Sequence, residues 1–178
     1  MKRNLLLTLA EAEFFRVRWS AAILDETERA IEKILAEKGA ADAGERARRA
    51  RSAMCSAFEE GDVGVYAGLL PICGALPDPD DARVLAAALK IQAATIVTDN
   101  LMDFPEAVLS PFNLEARIAD EFIADTIALD PGRAVAAIRK MRQRFNRPEK
   151  SAEDLLLDME AVGLVETVDV LKPHVASL

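Results

Sequence analysis

The chain has 178 residues and a mass of 19.4 kDa, room for one domain or one domain with a small appendage, and enough to bury a core without disulfides. Its 22 basic residues stand against 30 acidic ones, and the resulting formal charge of −8 rules out a general basic coat for nucleic acid. A hydrophobic content of 51% argues against disorder, while aromatics at 5% argue against a stacking platform for single-stranded bases.

Cys55 and Cys73 are too few for a disulfide framework, which suits a reducing cytoplasm, and both read as small apolar residues. His174 is the sole histidine, so zinc sites needing two are excluded, and Cys73 with His174 makes a poor nucleophile pair. Leu5-Leu6-Leu7 follows a charged start, but Glu11 and Glu13 interrupt it too early for a signal peptide. No apolar run approaches the roughly 20 residues of a membrane span, so the expectation is a soluble, cytoplasmic protein.

In chain order, residues 4–13 read as a short amphipathic helix, and Phe14-Phe15-Arg16-Val17-Arg18-Trp19 alternates like a strand, with Trp19 anchoring the core. Ser20 caps a helix carrying Ile23, Leu24, Ile31, Ile34 and Leu35, which Gly39 ends. A second long helix over about 43–59 carries Arg46, Arg48, Arg49 and Arg51, and Val63-Gly64-Val65-Tyr66 is a weak strand. Pro77-Asp78-Pro79-Asp80-Asp81 forms a turn and cap before a buried alanine-rich helix from Val84 to Leu89. Residues 94–98 read as an apolar strand of the kind buried in a parallel sheet; a further strand near 114–117 and a helix over 119–128 follow. Alternating strand and helix predict an α/β domain over 1–129. From Asp130-Pro131 onward only helices are expected, over 132–146, after the capping stretch Ser151-Ala152-Glu153-Asp154, and after Gly163, giving a helical extension over 130–178.

In an α/β sheet, functional groups gather at the carboxyl ends of strands and the amino ends of the following helices. Asp81 opens the alanine-rich helix, Asn100 and Asp103 follow the strand over 94–98, and Glu26 lies one turn into the helix after Trp19. Such carboxylates repel one another unless a cation neutralises them, and oxygen ligands suit Mg2+ or Mn2+, which acidify bound water for phosphodiester hydrolysis. The plain alternatives are a turn and an N-cap for Asp78, Asp80 and Asp81, turn residues for Asn100 and Asp103, and a solvated face for Glu26 among Asp25, Glu28 and Glu32. The basic run Arg133, Arg139, Lys140, Arg142, Arg144, Arg147 and Lys150 reads first as a solvated face with salt bridges, and second as a phosphate-contacting face. The arginines over 46–51 read the same way, with a protein-partner surface as a further option.

The blocks Asp80-Asp81-Ala82-Arg83-Val84-Leu85-Ala86-Ala87-Ala88 and Ile96-Val97-Thr98-Asp99-Asn100-Leu101-Met102-Asp103-Phe104 resemble the PIN-domain nucleases, most of all the bacterial branch that contains VapC-type toxins. Leu5 to Glu26 resembles the front half of that branch, and Glu153-Asp154-Leu155 with Gly163-Leu164 its tail. The resemblance implies a parallel sheet sandwiched by helices and an Mg2+- or Mn2+-dependent endoribonuclease site. Glu26, Asp81 and Asp103 would be metal ligands, and Asn100 stands where many relatives have an acid. It also implies an RNA substrate, an antitoxin protein as partner, and a homodimer.

The family opens with a strand that carries its first catalytic Asp, whereas Met1-Lys2-Arg3-Asn4 matches the helix after it. The expected fold therefore lacks the first family strand, through an upstream start, a truncated relative, or a strand supplied by another chain. The competing function is a catalytically silent PIN-like protein that binds a partner protein or RNA.

Overall fold

A computed structural model of the protein describes residues 1–145 and 149–178. In chain order the regular elements are α1 (Lys2–Glu11), α2 (Ala21–Glu37), α3 (Ala43–Ala57), α4 (Ala82–Lys90), β1 (Thr95–Val97), α5 (Glu106–Leu109) and β2 (Glu115–Arg117). They continue as α6 (Ala119–Leu129), α7 (Pro131–Gln143), α8 (Ala152–Ala161) and α9 (Val165–Leu171), with short 3-10 turns between several of them. The class is α/β as expected, with helices dominant and a parallel pair as its sheet. Glu115 N donates to Ala94 O at 3.1 Å and Thr98 N donates to Arg117 O at 2.9 Å, so partners advance together along both strands.

The chain divides into two compact units. The first contains Met1–Arg16, Val97–Leu101 and Ala116–Leu178. Its core is a helical cluster in which Leu5 and Leu9 of α1, Ile123 and Ile127 of α6, and Ile138 of α7 are fully buried with Leu155 and Met159 of α8. Each pair lies four residues apart or falls on an equivalent helical stripe, which is why these segments form helices with one buried face. Local signals delimit them. Ser151 Oγ accepts from Asp154 N while Asp154 returns a bond to Ser151 N, a complete capping box, and Asp130 caps α7 through Arg133 N. Gly163, at φ 79°, closes α8 in the left-handed region where a side chain is strained. The predicted end of the helix at 146, and Arg147 of the basic run, lie outside the described residues.

The second unit contains Val17–Ile96 and Met102–Glu115. In it α2 begins at Ser20, whose Oγ accepts from Ile23 N at 3.3 Å. Arg51 of α3 ties to α2, reaching Asp25 at 2.6 Å and Glu28 at 3.0 Å. Leu85, Ala86, Ala87 and Ala88 of α4 are buried, and the small side chains let neighbouring backbone approach closely.

Two strand expectations are corrected. Residues 14–19 contribute only one parallel bridge, in which Trp19 N donates to Gly61 O at 2.9 Å and Val63 N donates to Trp19 O at 3.1 Å. The reason is local. Glu13 turns the chain at φ 60°, and then the adjacent rings of Phe14 and Phe15 both find partners within the first unit. Phe14 lies under the Arg133 guanidinium at 4.1 Å and Phe15 packs edge-on against Phe122 at 5.0 Å, a use that strand alternation would forbid. Residues 63–66 likewise form no strand beyond the same bridge region, and Gly64 stands there at φ 65°.

Trp19 does anchor the core: it is 4% exposed and packs edge-on against Phe58 at 5.8 Å. A Cβ at Gly61 would sit 2.8 Å from Trp19 Cζ2. Gly61→Ala should therefore cost about 1–3 kcal/mol by displacing the ring. Urea unfolding followed by the emission of this single tryptophan checks it, and an unchanged midpoint with unchanged emission would show that the ring has room to move.

Candidate active site

The acidic edge lies wholly in the second unit and begins with the turn before α4. Pro79 pre-sets the backbone, Asp78 Oδ1 accepts from Asp80 N at 2.8 Å, and Asp81 N donates to Asp78 O at 3.1 Å. Local capping is thus performed by Asp78. Asp81 occupies the position before α4 with φ −76° and ψ −13°, already helical rather than extended, and its carboxylate caps no helix N–H. The N-cap alternative for Asp81 does not describe this geometry.

Its half-buried carboxyl instead meets other acids. Burial pushes the Asp81 carboxyl above the ordinary carboxylate range, and the charges of Asp103 and Asp78, a side-chain hydrogen bond with Asp103, and the charge of Glu26 push it further. Asp81 and Asp103 therefore stand side by side, and the neighbouring charge makes the ionised form of Asp81 costlier. Asp103 reaches it from the 3-10 turn Leu101–Asp103 that follows β1.

Glu26 separates from its acidic neighbours. Asp25 and Glu28 are tied to Arg51, whereas Glu26 Oε1 lies 4.0 Å from Arg83 Nη2. Arg83 also stands 3.5 Å from Asp80 and donates from Nε to Asp80 O at 3.3 Å. The structure thus gathers Glu26, Asp81 and Asp103 around the start of α4. Asn100 belongs to the first unit, where it is exposed and its N–H donates to Thr98 Oγ1 at 3.1 Å.

Two participants go unread in the sequence as members of this edge. Asp78 reads as a turn residue, yet its charge acts on Asp81; its place three residues before Asp81, between two prolines, was the available signal. Arg83 reads only as part of the helix, and nothing local reveals that it faces Glu26.

Chemically, the edge offers hard carboxylate oxygens with no thiol or imidazole among them, the donor type that Mg2+ or Mn2+ prefers. Repulsion at Asp81 is what a divalent cation would relieve. Among the described residues, however, no three acids, cysteines or histidines stand as a ready-made metal cage. Asp81 meets the charge of Asp103, and Arg83 supplies the positive charge beside Glu26.

Comparison with known proteins adds a family context. The family model described as PIN domain matches residues 2–102, more than half of the chain, and the one described as VapC50 C-terminal domain matches residues 119–173. A putative ribonuclease VapC50 from Mycobacterium tuberculosis (strain ATCC 25618 / H37Rv) is 36% identical over 76 residues, which cover 43% of this chain and 45% of that relative's length. The chain therefore spans less than half of the curated relative it matches. No solved structure matches.

Proposed function

The chain belongs to the PIN-domain family, and from that premise we propose that it is a metal-dependent endoribonuclease acting as the toxin of a toxin–antitoxin pair. The observation that carries this reading is the carboxyl of Asp81, which stands at the start of α4, caps no helix N–H and instead meets the charges of Asp103, Asp78 and Glu26. The relative's description as a putative ribonuclease supports the same chemistry.

In this reading Asp81, Asp103 and Glu26 would hold Mg2+ or Mn2+, which when bound supplies an acidified water and charge compensation for an anionic phosphorane. The crowding of negative charge at Asp81 is what such a cation would relieve. Arg83, whose guanidinium stands beside Glu26, would supply positive charge for a phosphate oxygen. The functional division we propose is a PIN-like body over 1–129 and a helical extension over 130–178. An antitoxin protein and a second copy of this chain are the proposed partners, in the cytoplasm; among the described residues no helix is long and apolar enough to cross a membrane.

A second reading, a catalytically silent PIN-like protein that binds a partner protein or RNA, draws on one observation. The acids form no ready-made cage, and Arg83 already stands as a cation beside Glu26. Cleavage of end-labelled RNA by the full chain, with and without Mn2+, separates the two. The nuclease reading expects Mn2+-dependent cleavage that Asp103→Asn lowers by about 100-fold, or ~3 kcal/mol. RNA left intact under both conditions supports the silent reading.

A further inference from the structure

Among the described residues the basic run from Arg133 to Lys150 divides into cations with an acid or carbonyl partner and cations that no acid pairs. Arg133 lies over Phe14 and 3.7 Å from Asp130, Arg144 pairs with Glu11 at 3.5 Å, and Lys150 pairs with Asp158. Arg142 donates to the carbonyl oxygens of Leu178 and Lys150. The salt-bridged reading of the run therefore holds for Arg133, Arg144 and Lys150, while Arg142 is held by backbone carbonyls. Arg139 and Lys140 are different: both are exposed, and no acid among the described residues pairs with either.

These two cations line a groove of about 550 Å³ within the first unit. Helical spacing sets Arg139, Lys140 and Gln143 on one face of α7, and the 3-10 turn Lys172–Ser177 supplies His174 and Ser177 opposite them. No Asp or Glu lines the groove, in a chain with 30 acids. The remaining lining is glycine, proline, alanine and one valine, which offers no deep apolar socket for an anchoring side chain.

We propose that this groove of α7 is a binding site for the phosphodiester backbone of single-stranded RNA, with Arg139 and Lys140 contacting phosphates and Gln143, His174 and Ser177 bonding ribose and phosphate oxygens. The proposal rests on the ribonuclease reading for its choice of RNA, and it adds a site apart from the acidic edge. Two compact cations flanked by neutral hydrogen-bonding groups suit a repeating chain of anions and hydroxyls. With no aromatic carbocycle in the lining, the contact is to the backbone and not to stacked bases, so it tolerates any sequence.

The test measures binding without cleavage. Fluorescein-labelled oligouridylate is titrated with the full chain in EDTA, and anisotropy is read across a salt series. The Arg139→Gln/Lys140→Gln double variant should bind about 5-fold or more weakly at low salt, with the salt slope reduced by about 1.4, or about 0.7 per lost phosphate contact. The Arg46→Gln/Arg49→Gln variant, which removes cations paired with Asp42 and Glu45, should bind as the wild type does. Both double variants alter exposed side chains, and equal melting temperatures verify that each is folded. Wild-type affinity and slope in the Arg139/Lys140 variant would overturn the proposal. Polyglutamate competing as well as unlabelled oligouridylate would also overturn it, in favour of an acidic polypeptide. A chain that binds oligouridylate through the groove but never cleaves RNA removes the ribonuclease reading and leaves this site standing.

Discussion

Asp81→Asn is expected to raise the melting temperature at neutral pH and at the same time to weaken Mn2+ binding at least about 10-fold. Most substitutions of a half-buried polar group destabilise. Here the wild-type carboxyl is opposed by burial and by the charges of Asp103, Asp78 and Glu26, all of which raise its proton affinity in the folded state. The folded protein therefore holds a proton at Asp81 to higher pH than the unfolded chain does. Below the ordinary carboxylate range both states are protonated and the acids cost nothing. As pH rises through that range toward the raised folded value, the unfolded chain ionises first and stability falls. Above it the penalty is fully present, of the order of 1 kcal/mol after solvent screening.

Asn removes the penalty, so its stability curve should be flat where the wild-type curve declines. The same change takes a ligand from the Asp81–Asp103 pair, and isothermal calorimetry with Mn2+ should show affinity at least about 10-fold lower. The N-cap alternative makes the opposite forecast: Asp81→Ala would lose about 1 kcal/mol and Asp81→Asn would be neutral. Thermal melts of both variants between acid and neutral pH decide the matter. If Ala destabilises and Asn leaves the pH profile unchanged, Asp81 is a structural cap and the acidic edge loses its centre.

Asp120→Ala should be the most destabilising of the single substitutions considered, at about 2–4 kcal/mol. Asp120 sits in the first turn of α6, 7% exposed, and accepts from both Glu166 N and Thr167 N at 2.9 Å, while Thr167 Oγ1 donates to Asp120 O at 3.3 Å. These bonds satisfy the opening N–H groups of α9, whose own N-cap residue, Leu164, has no side-chain acceptor. Removing the carboxylate leaves two donors without an acceptor against the core formed by Leu164, Val168 and Leu171.

Burial alone would raise the Asp120 carboxyl, but the backbone N–H and hydroxyl of Thr167 and the N–H groups of Glu166 and Val165 outweigh it and hold the carboxyl below its ordinary value. The folded state then binds the proton less readily than the unfolded chain. The stabilisation is fully present above the ordinary carboxylate range and is lost as pH falls through it toward the lowered folded value. Urea unfolding at neutral and acidic pH should show a wild-type acid decline that Asp120→Ala lacks. A variant as stable as the wild type at neutral pH would mean that water replaces the carboxylate at α9.

Much of the local structure was legible because its causes lie within a few residues. Ser20, Asp78, Asp130 and Ser151 each cap a segment whose N–H groups are two or three positions away, and Gly39 and Gly163 take the positive φ that ends a helix. The helical stripes of α6 and α7 carry their own period, as does the strand β1. The acids Glu26, Asp81 and Asp103 were legible as chemistry, since carboxylates at helix and strand ends are a local pattern; Asp78 and Arg83 were not, because their roles depend on neighbours remote in the chain.

The sequence alone determined the helical segments, their ends and the stock of acids and bases that could act. Tertiary structure alone decided which of two local readings each ambiguous residue follows. It turned Asp81 from a helix cap towards Asp103, drew Phe14 and Phe15 out of a strand to Arg133 and Phe122, and set Asp120 at the start of a helix distant in sequence. It also divided one run of like charges into residues held by acids or carbonyls and Arg139 and Lys140, which no acid among the described residues pairs. The physical reason is range: backbone propensity and capping act over a turn of chain, whereas burial and charge act through space, where any segment can be the neighbour.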